Sequence, residues 1–254
     1  LGGDALRGGP GAAGEVLQRL IERSPGDPGA AVVLAGEAVL DTWPGGVTQQ
    51  CRAAIEAALL VTMHDSERVA PIIRSRAGSI LGALGDPRDL EEMVFVPEGT
   101  FVMGEGGAQH KVAVAAFRIA KYPVTNQQYA TFVAANRHVP PPHWRGKTPQ
   151  RELNNHPVVN VSWYDALAYC EWLSAVRNEV VKLPSEAEWE KAARGLNGNE
   201  YPWGAIRDPN KANYRGSKIG STSAVGCFPD GVSFFGCYDM AGNVWEWTSS
   251  VYTP

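Results

Sequence analysis

The apolar positions of the first 90 residues recur at helical spacing. Val16, Leu17, Leu20 and Ile21 form one stripe at three- and four-residue intervals, and Ser24-Pro25-Gly26-Asp27-Pro28 stops it. Runs over Ala30 to Leu40, about Thr48 to Met63 and about Val69 to Leu84 predict three further helices. They are separated by Trp43-Pro44-Gly45-Gly46 and closed by Gly85-Asp86-Pro87. Four short helices with Gly/Pro joints suit either helical hairpins stacked as a small solenoid or a helical cap packed on the rest of the chain.

Beyond about Asp89 to Glu92 the pattern changes. Met93-Val94-Phe95-Val96 and Thr100-Phe101-Val102-Met103 are two β-rich runs around Pro97-Glu98-Gly99, which predicts a hairpin. Val112 to Ile119 reads as another strand. Three helices then begin at capping-box spacings: Thr125 with Gln128, Ser162 with Asp165, and Ser185 with Glu188. Tyr129, Phe132 and Val133 supply the buried stripe of the first. Ala166, Leu167, Tyr169, Cys170 and Leu173 supply that of the second, and Trp189 and Ala192 that of the third. From Pro202 onward Gly, Asn and Asp are dense, which predicts long ordered loops held by a ligand, a metal or aromatic packing. The reading is α+β, with a helical region over 1–90 and a mixed domain over 91–254. Seven of the eight Trp lie between Trp144 and Trp247, which marks the same division.

Charge and composition exclude some functions. A net charge of −4 gives no electrostatic footprint for nucleic acid and no polybasic membrane anchor, and no apolar run is long enough to span a bilayer. Leu1-Gly2-Gly3-Asp4 has no signal-peptide character, and with no initiator Met the chain is expected to begin inside a longer product. Four cysteines, Cys51, Cys170, Cys227 and Cys237, are too few for a disulfide scaffold, so a cytoplasmic location is expected. Cys227 and Cys237 flank a Gly/Pro-rich loop; pairing, metal binding and free thiols all stay open for them. Cys170 reads as core. The clustered Glu186, Glu188 and Glu190 read as helix-start residues. His64, His110, His138, His143 and His156 show no metal-ligand spacing and are expected mostly on surfaces or loops. There is no phosphate-cradling Gly loop with Lys-Ser/Thr and no nucleophile elbow.

Several longer motifs resemble one family. Phe95 to Gly104 looks like its opening hairpin. Tyr122-Pro123-Val124-Thr125-Asn126-Gln127-Gln128-Tyr129, Pro157 to Trp163 and Leu183-Pro184-Ser185-Glu186-Ala187-Glu188-Trp189-Glu190 are similar to its internal signatures. Tyr201-Pro202-Trp203-Gly204 and Gly236 to Trp247 follow in the expected order. The chain therefore resembles the formylglycine-generating-enzyme, or sulfatase-modifying-factor, domain family. The resemblance implies a C-type-lectin-like fold. Arg76 to Arg88 resembles the end of a HEAT-type repeat.

That family occurs as copper-dependent oxidases that convert a sulfatase cysteine to formylglycine. It also forms part of ergothioneine-type iron sulfoxide synthases. A third setting is non-catalytic display, including the variable proteins of diversity-generating retroelements. Fold alone does not choose among them. The oxidase's two copper-binding thiolates follow an RGGSW-like strand downstream of Gly242-Asn243-Val244-Trp245-Glu246-Trp247, and these 254 residues hold no counterpart. The closing strands are likewise missing, so the protein is expected to continue past Pro254. The three-histidine iron site has no counterpart either. The resemblance does imply calcium, with Asn243 and Glu246 as ligands beside backbone oxygens of about Ala241, Gly242 and Val244. A second family site maps to Asn213-Tyr214, but Ser217 and Lys218 stand where a carboxylate is expected. The expectation is a non-catalytic binding or sensor protein with a protein or peptide partner. The alternatives are the copper oxidase and a structural scaffold.

Overall fold

The computed structural model describes residues 28–42 and 46–251, together with residues 14, 15 and 19. The stripe at Val16 to Ile21 and the Trp43-Pro44-Gly45 joint lie outside the described residues.

Three helices follow the sequence periodicity closely: α1 Pro28–Asp41, α2 Gln49–His64 and α3 Pro71–Leu84. Thr48 caps α2 by accepting from the Cys51 N–H at 3.2 Å. Pro71 opens α3, where its missing N–H costs nothing. Val39, Leu59, Met63, Ala77 and Leu81 meet in one core. That core also takes in Ala224, Cys227 and Phe228 from the far end of the chain. The three helices thus pack as a cap on the second region, and one apolar cluster is shared between them.

Four strands follow: β1 Met93–Val96, β2 Gly99–Met103, β3 His110–Val114 and β4 Phe117–Ala120. The expected hairpin of β1 with β2 does not form. β1 pairs antiparallel with β4, Met93 opposite Ala120, and β2 pairs antiparallel with β3, Gly99 opposite Val114. The Pro97-Glu98-Gly99 corner redirects the chain: Pro97 has no N–H to donate to a ladder, and Gly99 sits at φ 142°. The single strand expected over Val112 to Ile119 breaks at Ala115-Ala116 for the same reason, since its two halves serve different sheets.

Helices α4 Asn126–Asn136, α5 Trp163–Arg177 and α6 Glu186–Arg194 begin where the capping boxes predicted. Gln128, Asp165 and Glu188 each accept the cap residue's own N–H at 2.7 Å. Two further clusters complete the interior. Tyr129, Phe132, Val133, Trp144 and Tyr169 pack between α4 and α5. Val96, Ala192, Ala193, Cys237 and Met240 join α6 to β1 and to the late loops. Cys170 is buried, as the α5 stripe predicted. Among described residues after Gly195 there is no strand, and no helix beyond two 3-10 turns.

Candidate functional site

The segment from Asp239 to Trp247 coils tightly because three residues in a span of five take positive φ: Asp239 57°, Gly242 85° and Asn243 64°. A Cβ at Gly242 would lie 2.4 Å from the Asn213 carbonyl oxygen, so the close approach of these two loops requires glycine. The Asn243 N–H donates to that carbonyl at 2.7 Å. The Asn243 side chain then ties in a third loop. Its Oδ1 accepts from the Ser223 N–H at 2.9 Å, and its Nδ2 donates to the Ser223 carbonyl at 3.2 Å and to Asp239 Oδ1 at 3.2 Å. Asp239 Oδ2 accepts the Gly226 N–H at 2.7 Å.

Asn213 works in the same way. Its Nδ2 donates to the Ser221 carbonyl at 2.8 Å and to Ser223 Oγ at 3.2 Å, and its Oδ1 accepts from Ser217 Oγ at 3.2 Å. The Tyr214 carbonyl also accepts from Ser217 Oγ, at 2.7 Å, while its ring lies under the Arg207 guanidinium. The side-chain oxygens of Asn213 and Asn243, which the sequence offered as metal ligands, are therefore engaged by protein donors. Gly242, Val244 and Glu246 lie on the same coil.

One group missed in the sequence reading is Asp239. Burial pushes its carboxyl up to about 6, against the pull of the Gly226 N–H and Asn243. Burial likewise pushes Glu246 up to about 7, with the Trp189 indole offsetting part of the rise and the Asp239 charge adding to it. Glu246 leaves much of its residue surface open to solvent, yet its carboxyl is hemmed in by protein. The Asp239 charge reaches Glu246, so the two carboxyls are neighbours in one protein-lined pit. Trp189 Nε1 is buried and lies toward Glu246, outside full hydrogen-bond geometry. Two carboxyls with backbone carbonyls of the same coil would be an all-oxygen donor set of the kind a hard cation of the calcium type takes, although the Gly242 carbonyl already accepts the Val244 N–H at 2.8 Å. Among described residues no three His, Cys, Asp or Glu side chains converge as a metal site, so any cation here would need backbone oxygens for its remaining ligands. A carboxyl six to eight positions from a tryptophan-rich coil was visible in the sequence; its sharing of a pit with Glu246 was not.

The four cysteines are free. Burial raises all four: Cys227 up to about 12, Cys237 up to about 11, and Cys51 and Cys170 in the same direction. Cys227 lies in the helical core and Cys237 in the cluster under α6. Burial thus disfavours the thiolate, the nucleophilic and metal-binding form, at each of them. One of the loop histidines, His156, is buried, with Nε2 3.0 Å from Ser79 Oγ on α3 and Nδ1 3.0 Å from Thr222 Oγ1. Burial holds it neutral, down to about 4. Glu188 caps α6, and Glu190 pairs with Arg194 and accepts the Gly104 N–H at 2.8 Å.

The coil then presents aromatic surface. Trp245 is fully exposed, and Trp247 and Tyr164 are exposed beside it in sequence or across the α5 start. The segment itself is pinned. Trp247 Nε1 donates to the Val161 carbonyl at 3.1 Å, Trp163 Nε1 donates to the Thr248 carbonyl at 2.9 Å, and the Ser249 N–H donates to the Pro184 carbonyl at 2.8 Å. No helix of the described residues is long and apolar enough to cross a membrane.

This arrangement has known counterparts. The sulfatase-modifying factor enzyme 1-like domain matches residues 83–254. The inactive C-alpha-formylglycine-generating enzyme 2 of Mus musculus is 34% identical over 233 residues, an alignment covering 68% of this chain and 72% of that protein. The formylglycine-generating enzyme of Mycobacterium tuberculosis is 32% identical over 234 residues, covering 65% of this chain and 76% of that protein. Among solved structures, PvdO from Pseudomonas aeruginosa superposes with a TM-score of 0.55 at 29% identity, over 63% of this chain and 71% of that one. The sequence motifs, the α+β architecture and these matches agree: the chain belongs to the sulfatase-modifying factor (formylglycine-generating-enzyme-like) domain family.

Proposed function

We propose that this protein is a non-catalytic binding module that presents the 239–251 coil to a protein or peptide ligand, with a calcium-type cation bracing the coil at Asp239 and Glu246. The observation that carries the reading is Trp245. A fully exposed tryptophan on a segment pinned by buried amides is a rigid, amphipathic contact with little ordering entropy left to lose. The cation would draw on the Asp239 and Glu246 carboxylates with the Gly242 and Val244 carbonyls. It would supply charge neutralisation in a pit where two like charges crowd. Burial outweighs the nearby Arg74 and Arg88 charges at Cys227 and keeps both Cys227 and Cys237 in the thiol form. Relatives named as inactive and as active formylglycine-generating enzymes are about equally similar, so similarity does not decide the matter. In a display setting of the diversity-generating kind, variation would fall on this aromatic face. Free buried thiols suit a reducing, cytoplasmic compartment.

The test has two arms on the full-length protein. A cysteine-containing sulfatase peptide is incubated with the copper(I)-loaded protein in air and followed by mass spectrometry. No formylglycine is expected, and turnover overturns the reading in favour of the oxidase. In the second arm, peptides are selected on the immobilised protein from a random library. Their binding is expected to fall at least tenfold, about 1.4 kcal/mol, in Trp245→Ala. If no peptide depends on Trp245, the module is a scaffold.

A further inference from the structure

The cation coil and the helical cap are built on opposite sides of one short strap, residues 223–228. On the coil side, Ser223 gives its N–H and carbonyl to the Asn243 amide, and the Gly226 N–H fixes Asp239 Oδ2 at 2.7 Å. Asp239 and Asn243 both hold left-handed backbone conformations that cost side-chain-bearing residues energy unless the surroundings enforce them. The strap supplies most of the side-chain contacts that enforce them, and the Asn213 carbonyl takes the Asn243 N–H at 2.7 Å.

On the cap side, Ala224, Cys227 and Phe228 are buried in the core of α1–α3. Cys227 Sγ lies 3.5 Å from the Arg74 carbonyl, and the Arg74 guanidinium lies over the Phe228 ring. Val225 is gripped at both backbone groups: its N–H donates to the Asn155 carbonyl at 2.9 Å, and its carbonyl accepts from Arg88 Nη1 at 2.7 Å. Arg88 is itself forked onto Asp86, at 2.9 and 2.6 Å. Asn155 Nδ2 donates to Asp86 at 2.7 Å and to the Gly78 carbonyl of α3 at 2.8 Å. Six consecutive residues are therefore fastened to the helices on one side and to the Asp239–Asn243 turn on the other.

We propose that the helical cap sets the cation affinity of the Asp239–Glu246 pit through this strap, with Ser223 and Gly226 as positioning residues for the site. The inference rests on the cation reading given above and assigns the helices a role in it. Anything that lifts the strap off α3 releases the Gly226 and Ser223 contacts, and Asp239 and Asn243 then relax from their left-handed conformations. By linkage the effect is reciprocal: a cation in the pit tightens the docking of α3.

Gly78 gives a test from outside the site. A Cβ there would lie 2.6 Å from Ala224 Cβ and 3.0 Å from Cys227 Sγ, so Gly78→Ala wedges α3 against the strap while touching no residue of the coil. Gly107, between β2 and β3, has nothing within 4 Å of its Cβ position and serves as the control. Calcium chloride is titrated calorimetrically into the full-length protein, Gly78→Ala and Gly107→Ala. Amide hydrogen exchange of α3 is measured in the unmodified protein with and without calcium. The expected results are calcium binding weakened at least about fivefold in Gly78→Ala but unchanged in Gly107→Ala, and slower α3 exchange when calcium is present. The exchange arm needs no variant, so a Gly78→Ala that fails to fold leaves the inference testable. Calcium binding with unaltered α3 exchange overturns the inference and spares the cation site. Absence of calcium binding to the unmodified protein overturns both.

Discussion

In the helical cap, Val39, Leu59, Met63, Ala77 and Leu81 meet with no accessible surface, and shape follows from apolar side chains on regular backbone. In residues 201–251 the longest regular element is a single 3-10 turn. Shape there follows from Asn213, Asn243, Asp239 and Ser223, which bind backbone groups of loops distant in sequence. The first kind of region is tolerant: nearly any apolar residue of the right size fills a core position. The second is exacting, because each amide satisfies particular buried partners and no neighbour substitutes for it. The proposed ligand-facing residues lie in the second region, where the backbone is free to take conformations a helix cannot.

The comparison is broken most severely by emptying the apolar side. Leu59→Ala is expected to cost about 2–5 kcal/mol in a urea titration. Because Ala224 and Phe228 share its cluster, tryptophan fluorescence from the late loops is expected to shift at the same midpoint as helical circular dichroism. Two separate midpoints would show that cap and loops unfold independently.

His156 bridges the two regions and gives a pH dependence. Its folded-state value of about 4 lies below the ordinary 6.5, so the unfolded chain binds the proton more readily. The stability it contributes is complete above about pH 6.5 and is lost as pH falls toward 4, to a limit of about 3 kcal/mol. His156→Gln is expected to flatten that limb of a plot of Tm against pH, and an unchanged slope would remove His156 from the account.

Asn243→Ala strips four side-chain hydrogen bonds and leaves Ala in a left-handed conformation, for an expected loss of about 2 kcal/mol. Hydrogen exchange is expected to quicken first between residues 222 and 244, and even quickening across the whole chain would contradict the local clasp. The smallest effect on stability belongs to Trp245→Ala, within about 0.5 kcal/mol, since its side chain buries nothing. A larger loss would mean that Trp245 belongs to the core and not to a ligand surface.

The legibility of the sequence divides along the same line. Helices α1–α3 were readable from three- and four-residue spacing, and α4–α6 from capping boxes at Thr125, Ser162 and Ser185, because both signals are local. The strand pairing was misread because β1 and β2 are adjacent in sequence but partners are chosen by distant neighbours, β4 and β3. The candidate coil was located by its motif. Asn213 and Asn243 also clasp neighbouring loops by hydrogen bonds, and Asp239 went unnoticed, because which carbonyl or carboxyl faces inward depends on loops 13 to 30 residues away. That the loop residue His156 is buried was hidden for the same reason: Ser79 and Thr222, its partners, lie 77 and 66 residues from it.

The central claim is tested most directly by the metal content of the full-length protein, purified without chelators and measured by plasma mass spectrometry beside its absorption spectrum. The account predicts calcium at one equivalent per chain, removed by Asp239→Asn, and no copper. Stoichiometric copper that survives Asp239→Asn would contradict it and make the protein an oxidase.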